Sequence, residues 1–263
     1  MAPFDRYRLK ASPVHRLDPR LKVTLAILYI ASNALLPDGA WLAFALSWGM
    51  VLLAQKRARL PFFFVVKRSF VALPFALAAV TVMFTLPGEP LATLPLGPWR
   101  LTLTGAGVVR FASIVLRSWL SVQGAILLTA VTPFPDLMHA LRHLRVPAPL
   151  VAVISFTYRY LFVLTEEARR MLRAREARSA RLPAGGGGGS PGWRARVAGH
   201  MVGQLFLRSY ERSDRVYNAM LARGFRGQFF TLNPHRMRPH DWLTGAAGAG
   251  SLLLLQWIAR LGR

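Results

Sequence analysis

The sequence predicts an all-α integral membrane protein: about five transmembrane helices plus cytoplasmic or interfacial helices that hold most of its charge. Three observations predict it. The 263 residues are 53% hydrophobic, with mean hydropathy +0.33, yet carry a formal net charge of +23. Such hydrophobicity excludes a disordered basic tail, and an ordinary soluble surface would spread its charge more evenly. Apolar residues and cations instead fall in separate blocks, the pattern of a membrane protein. Several apolar runs also approach the roughly 20 residues that a spanning helix needs.

In chain order, residues 1–20 are polar and basic, with Arg6, Arg8, Lys10, His15, Arg16 and Arg20. No apolar stretch with a small-residue cleavage site follows at signal-peptide distance, so the first span is expected to be an uncleaved anchor. Apolar runs lie at about 21–36, 39–55, 69–87, 105–131 and 242–261. The first two are slightly short and need their flanks to cross.

The positive-inside rule orients these runs. The basic N-terminus is expected on the cytoplasmic side, the Pro37-Asp38 turn outside, and Lys56, Arg57, Arg59, Lys67 and Arg68 inside again. The 88–104 stretch, with Pro90, Pro95, Gly97 and Pro98, reads as an outside hairpin. Arg142 and Arg145 return the chain to the inside. A full crossing by 147–165 would put the Arg-rich segment beyond it outside, so 147–165 is expected to be partly buried or interfacial.

Three regions follow: 1–147 with the N-terminal transmembrane helices, 148–240 with interfacial and cytoplasmic helices and a Gly-rich loop at 185–189, and 241–263 with the last span. The expected setting is a cell inner membrane, multi-pass.

The middle region holds the most distinctive pattern. Residues 166–240 contain 15 Arg, no Lys and 5 acidic residues. Residues 160–182 and about 192–223 are rich in helix formers, and Pro183 with Gly185 to Gly189 separates them. Near the end of each helix stands the same motif, Ala174-x-x-Ala177-Arg178-Ser179 and Ala219-x-x-Ala222-Arg223-Gly224, 45 residues apart. Arg178 shares a helix face with Met171 and Ala174, and Arg223 with Val216 and Ala219. A cation on an apolar stripe flanked by small residues suggests docking onto another molecule. Arg also suits bidentate pairing with carboxylates. Gly224 occupies the place of a helix C′ glycine.

Other chemistries find little support. The glycine run lacks the lysine of a phosphate-binding loop, since Lys67 is the last lysine. His139 and His143 have metal-compatible spacing. Cations surround them, and they read better as polar positions of an amphipathic helix. There are no cysteines, which removes thiolate sites. The predicted spans contain no Asp, Glu or His; apart from Lys22 and Arg260 at span ends, their charges are Arg110 and Arg117, seven apart on one face. No catalytic residue, metal ligand or cofactor site is therefore expected. A basic patch could meet nucleic acid, but no reader motif is present and no nucleic-acid partner is expected; the lipid bilayer is.

At the paired motifs the chain resembles the transmembrane T component of energy-coupling factor transporters, whose signature is two Ala-Arg-Gly motifs on coupling helices. Ala222-Arg223-Gly224 matches fully, whereas Ala177-Arg178-Ser179 has Ser for Gly. The resemblance extends through His15-Arg16-Leu17-Asp18-Pro19-Arg20-Leu21-Lys22, Thr157-Tyr158-Arg159-Tyr160 with Glu166-Glu167, and Ser209 to Arg215. The run Ser209–Phe225 is most similar to the cobalt or nickel subgroup, CbiQ.

The resemblance implies a non-catalytic coupling subunit with two ATP-binding cassette ATPase partners and a small substrate-binding membrane subunit (CbiM-like, with or without a CbiN-like auxiliary). Arg178 and Arg223 would each sit in a groove of one ATPase subunit. The competing expectations are a self-contained permease, or a T component serving a vitamin-specific substrate subunit.

Overall fold

The computed structural model describes residues 7, 12–87, 90–96, 99–178, 190–227 and 237–261. The chain divides into two compact units, residues 3–144 with 233–263, and residues 145–232.

The first unit begins with a short turn, α1 (Pro13–Arg16), capped by the Ser12 side chain. Helix α2 (Pro19–Ala34) starts with Asp18 as N-cap and Pro19 in its first turn, a pairing that satisfies one orphan amide and presets the first φ. Helix α3 (Trp41–Arg57) returns antiparallel. At 16 and 17 residues these two helices are shorter than the roughly 20 residues a span needs.

The next apolar stretch is broken rather than continuous. It comprises α4 (Phe62–Ser69), a 3-10 turn (Phe70–Ala72), α5 (Leu73–Ala79) and α6 (Val82–Thr85). The break has a local cause: Pro74 lacks an amide hydrogen and its ring clashes with the carbonyl four residues earlier, at Phe70, where α4 gives way to the 3-10 turn.

Strands β1 (Pro90–Leu96) and β2 (Trp99–Thr104) then pair antiparallel, with Leu96 opposite Trp99. This is the hairpin expected at 88–104. Thr104 ends it and caps α7 (Gly105–Val131), accepting from the Gly107 amide while donating to the Leu86 carbonyl.

Helix α7 is the axis of this unit, with α2, α3, α4, α5 and α6 all packed on it. Gly107 lets α6 approach: a Cβ there would lie 2.6 Å from the Met83 carbonyl oxygen. Helix α8 (Phe134–His143) follows, and the C-terminal α11 (Pro239–Leu261) packs on α2 and α3. Leu36, Ala43, Phe44, Leu120, Leu255 and Ala259 form the main apolar cluster.

Lipid tails are as apolar as leucine, so close packing and hydrogen bonds must hold membrane helices together. Both are present. Gly245 and Gly248 bring α11 against Leu21 and Leu25. Ser47 Oγ donates to Asn33 Oδ1 at 2.6 Å, and Gln256 Nε2 donates to the Ser32 carbonyl at 2.7 Å.

The second unit is a helix pair, α9 (Ala148–Arg178) and α10 (Pro191–Ala222). One difference from the expected layout lies here. The stretch 147–165, expected to be a separate interfacial element, runs without a break into the basic 160–178 helix. Exposed Arg159 interrupts the apolar sequence but not the backbone hydrogen bonding, so the helix continues.

Among the described residues, four helical stretches are long and apolar enough to cross a membrane by length and composition: Phe62–Thr85, Gly105–Val131, Ala148–Arg178 and Pro239–Leu261. The all-α membrane class is as expected. The set of candidate spans differs, because α9 qualifies while α2 and α3 are too short.

Candidate functional site

The residues singled out by the repeated motif end the two helices of the second unit. Glu167 on α9 is the main tie between them: its carboxylate accepts from Arg208 of α10 at 2.7 Å and lies 3.6 Å from Arg170. On one side of this tie, Phe156, Tyr160 and Leu164 of α9 face Ser209, Val216 and Met220 of α10 across an apolar groove of about 560 Å3. Residues after Arg208 thus lie beside residues before Glu167, so the helices run antiparallel.

Arg178 is 11 residues past Glu167, and Arg223 is 15 residues past Arg208 in the opposite direction. At 1.5 Å per residue these are about 16 and 22 Å. The two arginines stand at opposite ends of the pair.

Arg223 occupies the C-cap of α10. The Gly224 amide donates to the Leu221 carbonyl at 2.9 Å, and the Phe225 amide to the Met220 carbonyl at 3.0 Å. This double closure is the Schellman motif, which needs a left-handed residue at C′. Gly224 supplies it at φ +78°, with no atom within 4 Å of where a Cβ would stand. Backbone conformation, not crowding, calls for glycine.

Arg178 is the last described residue of α9. Ser179 and the glycine run 185–189 lie outside the described residues. At the other end of that connection, Ser190 caps α10 by accepting from the Trp193 amide.

Ala177, Arg178, Ala222, Arg223 and Gly224 are all exposed. Neither Arg178 nor Arg223 has an ion-pair partner among the described residues, whereas Arg170, Arg173, Arg208 and Arg215 all do. The helix dipole offsets each cation at its C-terminal position. The expected apolar stripe is only partial: Met171 and Val216 are half-buried, but Ala174 and Ala219 are exposed. Each stripe opens to the surface as it nears its arginine, leaving a small-residue shelf under a cation.

The other candidates resolve within the first unit. Arg110 and Arg117 share one partner, Asp38 of the α2–α3 turn, at 3.8 and 2.6 Å. Sequence reasoning placed the arginines on one face but missed the carboxylate, which is far away in sequence and outside the predicted spans. The His15–Lys22 stretch is a structural knot. Lys22 Nζ donates to the carbonyl of His15 at 2.9 Å and reaches that of Val131 at 3.5 Å, while Asp241 accepts from the Asp18 amide. The rings of His139 and His143 lie 5.1 Å apart, and His139 Nε2 is 3.2 Å from Arg20 Nη2. Among the described residues no three His, Cys, Asp or Glu side chains cluster as a metal site.

A family model described as cobalt transport protein, CbiQ, matches residues 10–233. The chain belongs to that family.

Named relatives are more distant. An energy-coupling factor transporter transmembrane protein EcfT of Listeria innocua is 28% identical over 241 residues, 85% of this chain and 84% of the relative. A cobalt transport protein CbiQ of Rhodobacter capsulatus is 29% identical over 158 residues, 60% and 62% of the two chains. Another CbiQ, from Salmonella typhimurium, is 29% identical over 166 residues, 60% and 70%. The CbiQ-family match covers both helices of the second unit, so both arginine motifs lie within it.

Proposed function

We propose that this chain is the transmembrane coupling subunit of an energy-coupling factor importer, passing the ATP-driven motion of two ATPase subunits to a separate substrate-binding membrane subunit. One observation supports this most directly: two exposed arginines without ion-pair partners among the described residues lie towards opposite ends of one antiparallel helix pair. Two contact points so far apart suit two partners rather than one. Each would offer a carboxylate in a groove, with Ala177 and Ser179 or Ala222 and Gly224 letting the partner surface close around the guanidinium. ATP hydrolysis belongs to those partners, and this chain contributes no catalytic group. With the N-terminus on the cytoplasmic side of the inner membrane and α9 lying at the interface rather than crossing, both arginines stand where ATP is found.

The family description supports cobalt as the cargo, with nickel the alternative of the subgroup that the sequence resembles, chosen by a CbiM-like subunit with or without a CbiN-like auxiliary. A second reading, a T component serving another substrate subunit such as a vitamin-specific one, has its own support. The Listeria EcfT aligns over 85% of this chain, whereas the two CbiQ relatives align over 60%.

Co-expression with the ATPases tests the docking. Arg178→Ala with Arg223→Ala should release both ATPases in a detergent pull-down, and undiminished co-purification would sink the proposal. Ion uptake measured with each candidate substrate subunit in turn separates the two cargo readings.

A further inference from the structure

The arginine-rich end of the first unit holds a feature that ATPase coupling does not use. A recess of about 510 Å3 has Ser12, Arg16, Arg59, Arg238, His240 and Asp241 among its lining residues. Among the described residues its one carboxylate is already committed: Asp241 is 5% exposed and accepts from the Asp18 amide at 3.4 Å and the Arg238 amide at 2.8 Å. Three guanidiniums and one internally bonded acid therefore line the recess. Leu17 lines this recess and also a neighbouring apolar groove of about 280 Å3 between α2, α3, α7 and α11. Leu25, Ala26, Met50, Leu53, Leu127 and Gly248 line the groove, and its charged lining residues are both cations, Lys22 and Arg57. Both lie towards the recess. Lys22 is bonded to the His15 carbonyl, and Arg57 is two residues from Arg59.

The backbone at Arg59 is fixed by its turn. It closes α3 with the same double turn that Gly224 gives α10: its amide donates to Lys56 at 3.0 Å, and the Leu60 amide to Gln55 at 3.2 Å. Arg59 therefore holds φ +55°, a left-handed conformation natural to glycine and strained for arginine.

We propose that recess and groove together bind one anionic phospholipid, its phosphate on Arg16, Arg59 and Arg238 and an acyl chain in the groove. Guanidinium forks match phosphate oxygens. Basic pockets between membrane helices take anionic headgroups for the same reason.

The full-length protein, purified from equimolar phosphatidylglycerol and phosphatidylcholine vesicles, is the material for the test, with native mass spectrometry counting the lipids retained. One phosphatidylglycerol should be kept in preference. Arg59→Gly suits the turn and should fold at least as well by thermal melting, yet lower that retention about fivefold. Arg16→Gln and Arg238→Gln added to it should abolish the preference. Ala26→Trp, which fills the groove and leaves the arginines intact, should lower retention of the whole lipid. Equal retention of both lipids by the unmodified protein overturns the proposal, as does an unchanged preference in the triple variant. Stabilisation by inorganic phosphate alone, undiminished by Ala26→Trp, would also overturn it by assigning the recess to the free ion.

Discussion

Arg117 donates to Asp38 at 2.6 Å, fastening the α2–α3 turn partway along α7, 79 residues away in sequence. Arg110 lies 3.8 Å from the same carboxylate. Asp38→Ala removes the counter-ion of both guanidiniums, whereas Arg110→Ala leaves the shorter pair intact. The pairs are partly exposed, so Asp38→Ala should cost about 1–3 kcal/mol and Arg110→Ala under about 1 kcal/mol in detergent unfolding titrations. An Asp38→Ala/Arg117→Ala cycle should show coupling of at least about 0.5 kcal/mol.

Lys22→Met keeps the aliphatic stem and removes the ammonium that reaches the carbonyls of His15 and Val131. Both acceptors then lose a charged donor in a poorly hydrated place. The expected loss is about 1–3 kcal/mol, seen as earlier thermal unfolding in detergent. Unchanged stability would show that water replaces the ammonium there.

Glu167→Gln should loosen the second unit more than Glu166→Gln. The Glu167 side chain is 12% exposed and answers Arg208 on the facing helix, while Glu166 pairs only along its own helix, with Arg173. Hydrogen exchange in α10 should rise by a factor corresponding to about 1 kcal/mol for Glu167→Gln. The swap Glu167→Arg with Arg208→Glu should recover part of it.

Gly224→Ala forces a Cβ into the left-handed conformation at φ +78° without meeting any neighbour. The cost should be about 1–2 kcal/mol, read as fraying of the last turn of α10 by hydrogen exchange. Gly224→Asn should cost less, since Asn tolerates this region better. Both should weaken ATPase retention in proportion to the fraying if Arg223 is the docking group.

How much was legible in the sequence depended on whether the cause was local. The helix stop at Gly224 was readable because left-handed backbone selects glycine within a single residue. The 88–104 hairpin was readable from its prolines and Gly97. The unbroken α9 was not, because hydropathy at Arg159 says where a helix is wet, not where its hydrogen bonds end. The break near Phe70 could have been found from Pro74, which stands four residues beyond it. Asp38 as partner of Arg117 depends on how α2 and α3 pack on α7, and no periodicity encodes that. For the candidate site, the helix-terminal placement of Arg223 was readable. The separation of Arg178 and Arg223 at opposite ends was not, since it follows from the Glu167–Arg208 tie between two chain segments.

The short α2–α3 hairpin has a consequence for the membrane itself. At 1.5 Å per residue its arms reach about 24 and 26 Å, against a hydrocarbon thickness of about 30 Å. Asp38 and its two arginines fix the turn against α7, with Trp41 beside it 49% exposed. If the hairpin crosses the bilayer, lipids along its flank would have to thin to meet it, while those meeting the 27-residue α7 would not. Such a crossing would give the bilayer unequal thickness on the two sides of the bundle, and a partner helix of ordinary length would meet more mismatch at the α2–α3 hairpin.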